Sequence, residues 1–193
     1  NLSIRQCMKL SKKYSGVIVP AITPLTERLQ IDEVAVEKLF GTFYDHGIAP
    51  FILGTTGESA SIPFQVKKDY IHAAERIKKP GTLLYAGIGS NVLAESTSLA
   101  AYCTLHGVDV LVATLPSYYS LTELQMKEYF TELANTVPLP LFIYNIPATT
   151  HMSIPLQLVE ELSHHPNIVG IKDSERSEER LKESVDRWKL RAD

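Results

Sequence analysis

Cysteine is nearly absent: Cys7 and Cys103 are the only two, which gives neither a disulfide framework nor a cysteine-based zinc site. That fits a reducing compartment. Apolar runs long enough to cross a membrane are also missing, as is a secretory leader. No membrane partner is expected, and the cytoplasm is the default location, with an organelle open if a transit segment has been removed. An excess of one charge sign is lacking too: 19 Lys and Arg face 22 Asp and Glu, a net charge of -3. Basic residues are scattered apart from the pairs Lys12-Lys13, Lys67-Lys68 and Lys78-Lys79, so nothing predicts a nucleic-acid partner.

What the chain has is alternation. Short apolar, β-branched runs at 17–22, 51–53, 82–86, 108–113, 140–144 and 167–172 read as strands. Between and after them, stretches at about 32–46, 63–78, 91–106, 122–134, 153–163 and 178–187 read as helices. Asp32 is a predicted N-cap for the first helix, Pro63 opens the second, and Gly47 and Gly107 close the first and third. Strict βα alternation predicts a parallel sheet covered by helices. The reading divides the chain into a lead, 1–14, and one α/β domain, 15–193. Periodicity does not separate an open doubly wound sheet from a closed barrel. Gly87-Ile88-Gly89 follows a strand, but it lacks the third glycine and the acidic partner of a dinucleotide loop.

Three segments end strands, at the edge where parallel α/β folds bind ligands. Gly54-Thr55-Thr56-Gly57-Glu58-Ser59 combines glycines that let N–H groups converge on a carboxylate with two hydroxyls that can relay a proton. It also reads as a plain capping turn. Tyr144-Asn145-Ile146-Pro147-Ala148-Thr149-Thr150 offers a phenol, a competent acid–base group when its pKa is lowered, or simply a core tyrosine. Val169-Gly170-Ile171-Lys172-Asp173-Ser174 is apolar until its lysine. Burial disfavours a charged amine, and a neutral amine can attack a ketone. The plainer readings pair Lys172 with Asp173 or let its amine reach solvent past an apolar stem.

Gly54-Thr55-Thr56-Gly57-Glu58, Tyr144-Asn145-Ile146-Pro147 and Gly170-Ile171-Lys172-Asp173 together resemble the signature segments of the dihydrodipicolinate synthase / N-acetylneuraminate lyase family, in its order and near its spacing. Pro116-Ser117-Tyr118-Tyr119 is similar to the family's tyrosine-bearing loop. The resemblance implies a (β/α)8 TIM-type barrel that forms a Schiff base with pyruvate or a similar 2-oxo acid. By this resemblance Lys172 is the imine-forming lysine, Tyr144 the proton shuttle and Thr55 its hydroxyl relay. Gly54, Thr55, Thr56 and Thr149 fall in the substrate-binding segments. Tyr119, or Tyr118 beside it, matches the tyrosine lent across a subunit interface, which implies a homodimer or homotetramer. The implied chemistry needs no cofactor and no metal, because the protonated imine is itself the electron sink.

Two departures qualify the resemblance. Synthases that condense pyruvate with aspartate semialdehyde carry an arginine where this chain has Thr149, and a threonine cannot supply that charged fork. Thr149 and its neighbour Ala148 favour the branch of N-acetylneuraminate lyase-like or 2-keto-3-deoxy-sugar-acid aldolase-like enzymes, with dihydrodipicolinate synthase as the alternative. A non-catalytic barrel that binds a 2-oxo acid is a reading of another class. The second departure is length. A (β/α)8 barrel takes about 250 residues, and only about six βα units are legible here. The expectation is a missing C-terminal part, with 189–193 leading toward a further strand.

Overall fold

The structure, a computed structural model, describes residues 13–189. Six apolar runs become six strands: β1 (Val17–Pro20), β2 (Ile48–Ile52), β3 (Tyr85–Gly87), β4 (Val110–Thr114), β5 (Leu141–Asn145) and β6 (Ile168–Asp173). The helices are α1 (Glu33–Asp45), α2 (Phe64–Ile77), α3 (Leu93–Leu105), α4 (Glu123–Thr136), the single-turn α5 (Pro147–Thr150), α6 (Leu156–Leu162) and α7 (Glu178–Trp188).

Local chemistry sets the helix starts. The Asp32 carboxylate accepts from the Ala35 N–H at 3.0 Å and starts α1. Thr122 and Gln125 form a reciprocal capping box at α4. Ser177 accepts from the Arg180 N–H at 3.2 Å to start α7. Gly47 and Gly107 follow α1 and α3 with φ of 66° and 68°, the left-handed backbone that ends a helix.

All strand pairs are parallel, and the sheet order is β1-β2-β3-β4-β5-β6. A doubly wound sheet reverses its strand order at a switch point. Here each strand lies beside its sequence neighbours throughout, the order of a (β/α) barrel. The sheet carries an apolar cluster on each face. The larger packs under the helices and includes Phe40, Tyr70, Ile71, Leu99, Phe130 and Leu133. The smaller lies on the inner face and holds Phe51, Tyr85, Val110, Val112, Tyr144 and Ile146. Inner and outer faces are thus both apolar, as the uninterrupted hydrophobic runs predict.

The predicted elements differ from the observed ones mainly at their ends. β3 starts at Tyr85 rather than at position 82, because the Leu84 N–H is taken by the Asp109 carboxylate at 2.7 Å. The helix predicted over 153–163 begins only at Leu156, after Pro155. Of the predicted lead, positions 1–12 lie outside the described residues. Tyr14 packs edge-on against Phe142 of β5, ring centroids 5.5 Å apart. Among the described residues no helix is long and apolar enough to cross a membrane.

Candidate active site

The register of β5 and β6 builds the centre of the site. Phe142 lies opposite Gly170, and Tyr144 lies opposite Lys172. Residues two apart in a strand share a face, so one layer holds Phe142 and Gly170 and the next holds Tyr144 and Lys172. A Cβ on Gly170 would fall 2.8 Å from the Phe142 ring. Glycine therefore lets Phe142 fill the interior beneath the reactive layer.

In that layer the Lys172 amine lies 3.8 Å from the centroid of the Tyr144 ring. It donates to the Ser174 hydroxyl at 2.8 Å. The polar side chains of Lys172, Thr55 and Ser174 surround the Tyr144 phenol and act on its ionisation. Burial pushes the phenol up, but the influence of Lys172, Thr55 and Ser174 outweighs it and holds Tyr144 below the ordinary 10.0. A phenol so placed can take up and release protons next to an amine.

One expectation is only partly met. Lys172 is half-buried rather than sealed in a dry pocket. The reason is positional: β6 is the last strand of the sheet, with β5 on one side and no strand on the other among the described residues. The Lys172–Asp173 pairing is not what the structure contains. Asp173 points to the other side and accepts from Arg180 at 2.6 Å and from Asn145 at 2.9 Å.

Asn145 explains its place in the Tyr-Asn-Ile-Pro segment. Its side chain is 1% exposed. The amide donates to Asp173 and to Glu175, the latter at 3.0 Å, and its carbonyl accepts from the Ile154 N–H at 3.0 Å. Ser153 reaches the same Glu175 at 2.6 Å. The network locks the ends of β5 and β6 and thereby the register of Tyr144 against Lys172. Sequence reasoning placed neither Asn145 nor Ser174 in the site. For Ser174 the only available signal was its spacing: two positions past the lysine is the distance that returns a strand-end side chain to the same face.

The Gly-Thr-Thr-Gly turn leaves β2 sharply. Leu53 and Glu58, at φ of 55° and 53°, bracket it with left-handed backbone that bulky residues rarely adopt. The Thr55 carbonyl accepts from the Glu58 N–H, and the Gly54 carbonyl from the Ser59 N–H. The Thr23 hydroxyl pins the far end by donating to the Gly57 carbonyl at 2.7 Å. Thr55 and Thr56 are left exposed at the rim.

This turn also accounts for Gly87-Ile88-Gly89. A Cβ on Gly87 would lie 2.0 Å from the Leu53 carbonyl oxygen, and one on Gly89 would lie 2.6 Å from the Thr114 hydroxyl. Both glycines make room for neighbouring chain, which removes the dinucleotide-loop reading.

Thr149 sits exposed on α5 and shares a cleft with Thr55 and Tyr144. Tyr118 and Tyr119 lie farther out, 78% and 75% exposed, with their rings edge to face. Asn91 holds their loop, its side-chain oxygen accepting from the Ser117 N–H at 2.7 Å. The structure therefore brings Lys172, Tyr144, Thr55 and Ser174 together and leaves Tyr119 on the outer surface of this chain.

The profile of the Dihydrodipicolinate synthetase family matches residues 13–190. A 4-hydroxy-tetrahydrodipicolinate synthase of Acidiphilium cryptum is 32% identical over 167 residues, 83% of this chain and 56% of that relative. The chain thus spans a little over half the length of this relative. A solved dihydrodipicolinate synthase from Bacteroides thetaiotaomicron superposes with a TM-score of 0.89 at 29% identity, covering 95% of this chain and 62% of that one. YagE, a prophage protein of the dihydrodipicolinic acid synthase family from E. coli K12 solved in complex with pyruvate, superposes with a TM-score of 0.86 at 27% identity, covering 90% and 59%. With its fold, its three segments and its profile in agreement, the chain belongs to the dihydrodipicolinate synthetase family.

Proposed function

We propose that the protein is a carbon–carbon lyase or aldolase in which Lys172 forms a Schiff base with pyruvate or a similar 2-oxo acid. One observation carries this reading: the Lys172 amine sits 3.8 Å from the centre of the Tyr144 ring, at matching positions of adjacent strands, and donates to Ser174 beside it. In the proposed sequence the neutral amine attacks the ketone carbon, and the oxygen leaves as water after proton transfers through Tyr144 and Thr55. The protonated imine then accepts the electron pair released when a bond to the neighbouring carbon breaks, giving an enamine. The enamine can attack an aldehyde, and the reverse order splits a C–C bond. The exposed Thr55–Thr56 backbone holds the substrate carboxylate. No step uses a metal or an organic cofactor.

For the second substrate, the relatives support condensation of the 4-hydroxy-tetrahydrodipicolinate synthase kind over the lyase branch. Thr149, which lacks the synthase's arginine, supports the N-acetylneuraminate lyase-like or sugar-acid aldolase-like reading as the second possibility. Tyr119, exposed and held by the Asn91-anchored loop, is assigned to a neighbouring subunit's site in a homodimer or homotetramer. Tyr119→Phe then lowers turnover while secondary structure is unchanged, and normal turnover removes the assignment.

The central test is trapping. The full-length protein treated with pyruvate and borohydride should gain one adduct, located on Lys172 by peptide mapping and absent in Lys172→Ala. An adduct-free wild type would leave only a 2-oxo-acid-binding barrel.

A further inference from the structure

A second group of chemistry-bearing side chains lies far from this site. His72 and Glu75 occupy neighbouring turns of α2, three residues apart and so on one face of the helix. His106 caps the C-terminus of α3. The Glu75 carboxylate oxygen lies 2.7 Å from Nδ1 of His106 and 3.3 Å from Nδ1 of His72. One ligand atom from each of the three residues lies within 4.8 Å of the other two. Both helix ends feed the N-terminal ends of strands, β3 and β4 respectively. The group therefore sits at the opposite end of the sheet from Tyr144 and Lys172.

From this geometry we propose that His72, Glu75 and His106 form a binding site for a zinc-like divalent transition metal that clamps α2 to α3. Two imidazole nitrogens and one carboxylate oxygen form a donor set that suits zinc, cobalt or nickel and disfavours magnesium and calcium, which take oxygen ligands. Tetrahedral bonds of about 2.0–2.1 Å set neighbouring donor atoms about 3.4 Å apart, so the three donors, all within 4.8 Å of one another, need only small side-chain adjustments to share an ion. His106 is held ready. Its ring packs tilted against Tyr102 with centroids 4.1 Å apart, and its backbone N–H is tied to the Cys103 carbonyl.

Without metal, a carboxylate only accepts, so each facing Nδ1 carries the proton of its hydrogen bond to Glu75. With metal, Nδ1 becomes the ligand and the proton moves through solvent to Nε2. His72 is exposed and Glu75 and His106 are partly so, which gives the ion an entry path and leaves a fourth position for water. A bound ion would join the second and third βα units without touching the chemistry at the rim.

The test uses untagged full-length protein freed of metal with a chelator. Zinc titrated by calorimetry should bind at one equivalent per chain and raise the unfolding temperature. Cobalt should give the visible absorption of a tetrahedral site. His72→Ala and His106→Ala should each weaken zinc binding more than about 100-fold, since loss of even an outer-shell partner costs about 10–100-fold. Nitrogen-15 shifts should show Nδ1 losing its proton in the zinc-bound protein. His72→Ala alters an exposed side chain, so it remains decisive even if His106→Ala, at a helix cap, loses its fold. Pyruvate trapping on Lys172 should be unaffected, which separates this site from the proposed reaction. Absence of one-equivalent binding, or equal affinity in wild type and His72→Ala, would overturn the proposal.

Discussion

Tyr144 and Lys172 stand side by side at matching positions of adjacent parallel strands, with the lysine amine 3.8 Å from the centre of the phenol ring. Burial raises the phenol's pKa, and the polar influence of Lys172, Thr55 and Ser174 lowers it by more, so the pKa lies below the ordinary 10.0. A lowered pKa means that tyrosinate appears at lower pH in the folded protein than in the unfolded chain. Lys172→Met removes a lowering contribution and keeps the burial, so the Tyr144 titration should move to higher pH. Tyrosinate absorbance measured against a Tyr144→Phe reference reports the shift. Identical titrations in wild type and Lys172→Met would show that the two side chains do not communicate.

Ser174 accepts from the Lys172 amine at 2.8 Å and is among the groups that lower the Tyr144 pKa. Ser174→Ala should slow borohydride trapping of the pyruvate adduct about fivefold, in line with about 1 kcal/mol for a single hydrogen bond. The same substitution should raise the Tyr144 pKa. Trapping at the wild-type rate would reduce Ser174 to a turn residue.

Asn145 is a structural part of the site. Asn145→Leu keeps the volume but strips Ile154, Asp173 and Glu175 of a partner each. Leaving the buried Ile154 N–H unpaired and each carboxylate one donor short should cost about 2 kcal/mol. Asn145→Asp should be worse, because it sets a third carboxylate beside two others. Urea unfolding at fixed protein concentration, followed by the fluorescence of Trp188, measures both. A midpoint unchanged in Asn145→Leu would mean that the network does not hold the two strands.

The sequence was informative where a physical rule acts over a few residues. β-Branched runs bounded by caps located all six strands, and Asp32 and Thr122 marked helix starts correctly, because burial on two faces and capping are local. The three strand-end segments were legible for the same reason: strand direction alone places them on one edge. The choice between barrel and doubly wound sheet was not legible, since it depends on which strands pair. α5 escaped notice because four residues carry no period. The left-handed Leu53 has no sequence signature, and without it Gly87 looks like part of a nucleotide loop. The half-burial of Lys172 depends on which strands flank β6, and strand pairing has no local sequence signal.

Gly87 and Gly41 make opposite predictions from one chemical change. A Cβ on Gly87 would meet the Leu53 carbonyl at 2.0 Å, and backbone cannot step aside. Gly87→Ala should therefore destabilise by about 3 kcal/mol, the upper range for overpacking. Gly41 lies inside α1 with nothing within 4 Å of an added Cβ. Gly41→Ala should stabilise by about 0.5–1 kcal/mol through helix propensity. Chemical denaturation of the two variants in parallel checks both signs. A neutral Gly87→Ala would mean that β2 does not turn as described at Leu53.

Thr149 bears on the second substrate. It is exposed on α5, its hydroxyl turned back to the Ile146 carbonyl at 3.3 Å, and it borders the cleft that contains Thr55 and Tyr144. A threonine there offers no fixed positive charge to an incoming carboxylate, whereas arginine offers two parallel donors. If the protein is a synthase working without that group, Thr149→Arg should lower KM for aspartate semialdehyde about tenfold, the effect of about 1.4 kcal/mol of added charge-assisted bonding. Pyruvate trapping on Lys172 should stay as it is, since the amine and its phenol are untouched. If the protein cleaves a sugar-derived 2-oxo acid instead, the same arginine should impair pyruvate release by crowding a neutral hydroxylated chain and should bring no condensation activity. Steady-state assays of Thr149→Arg in both directions separate the two readings, because a single substitution is required to help one substrate and harm the other.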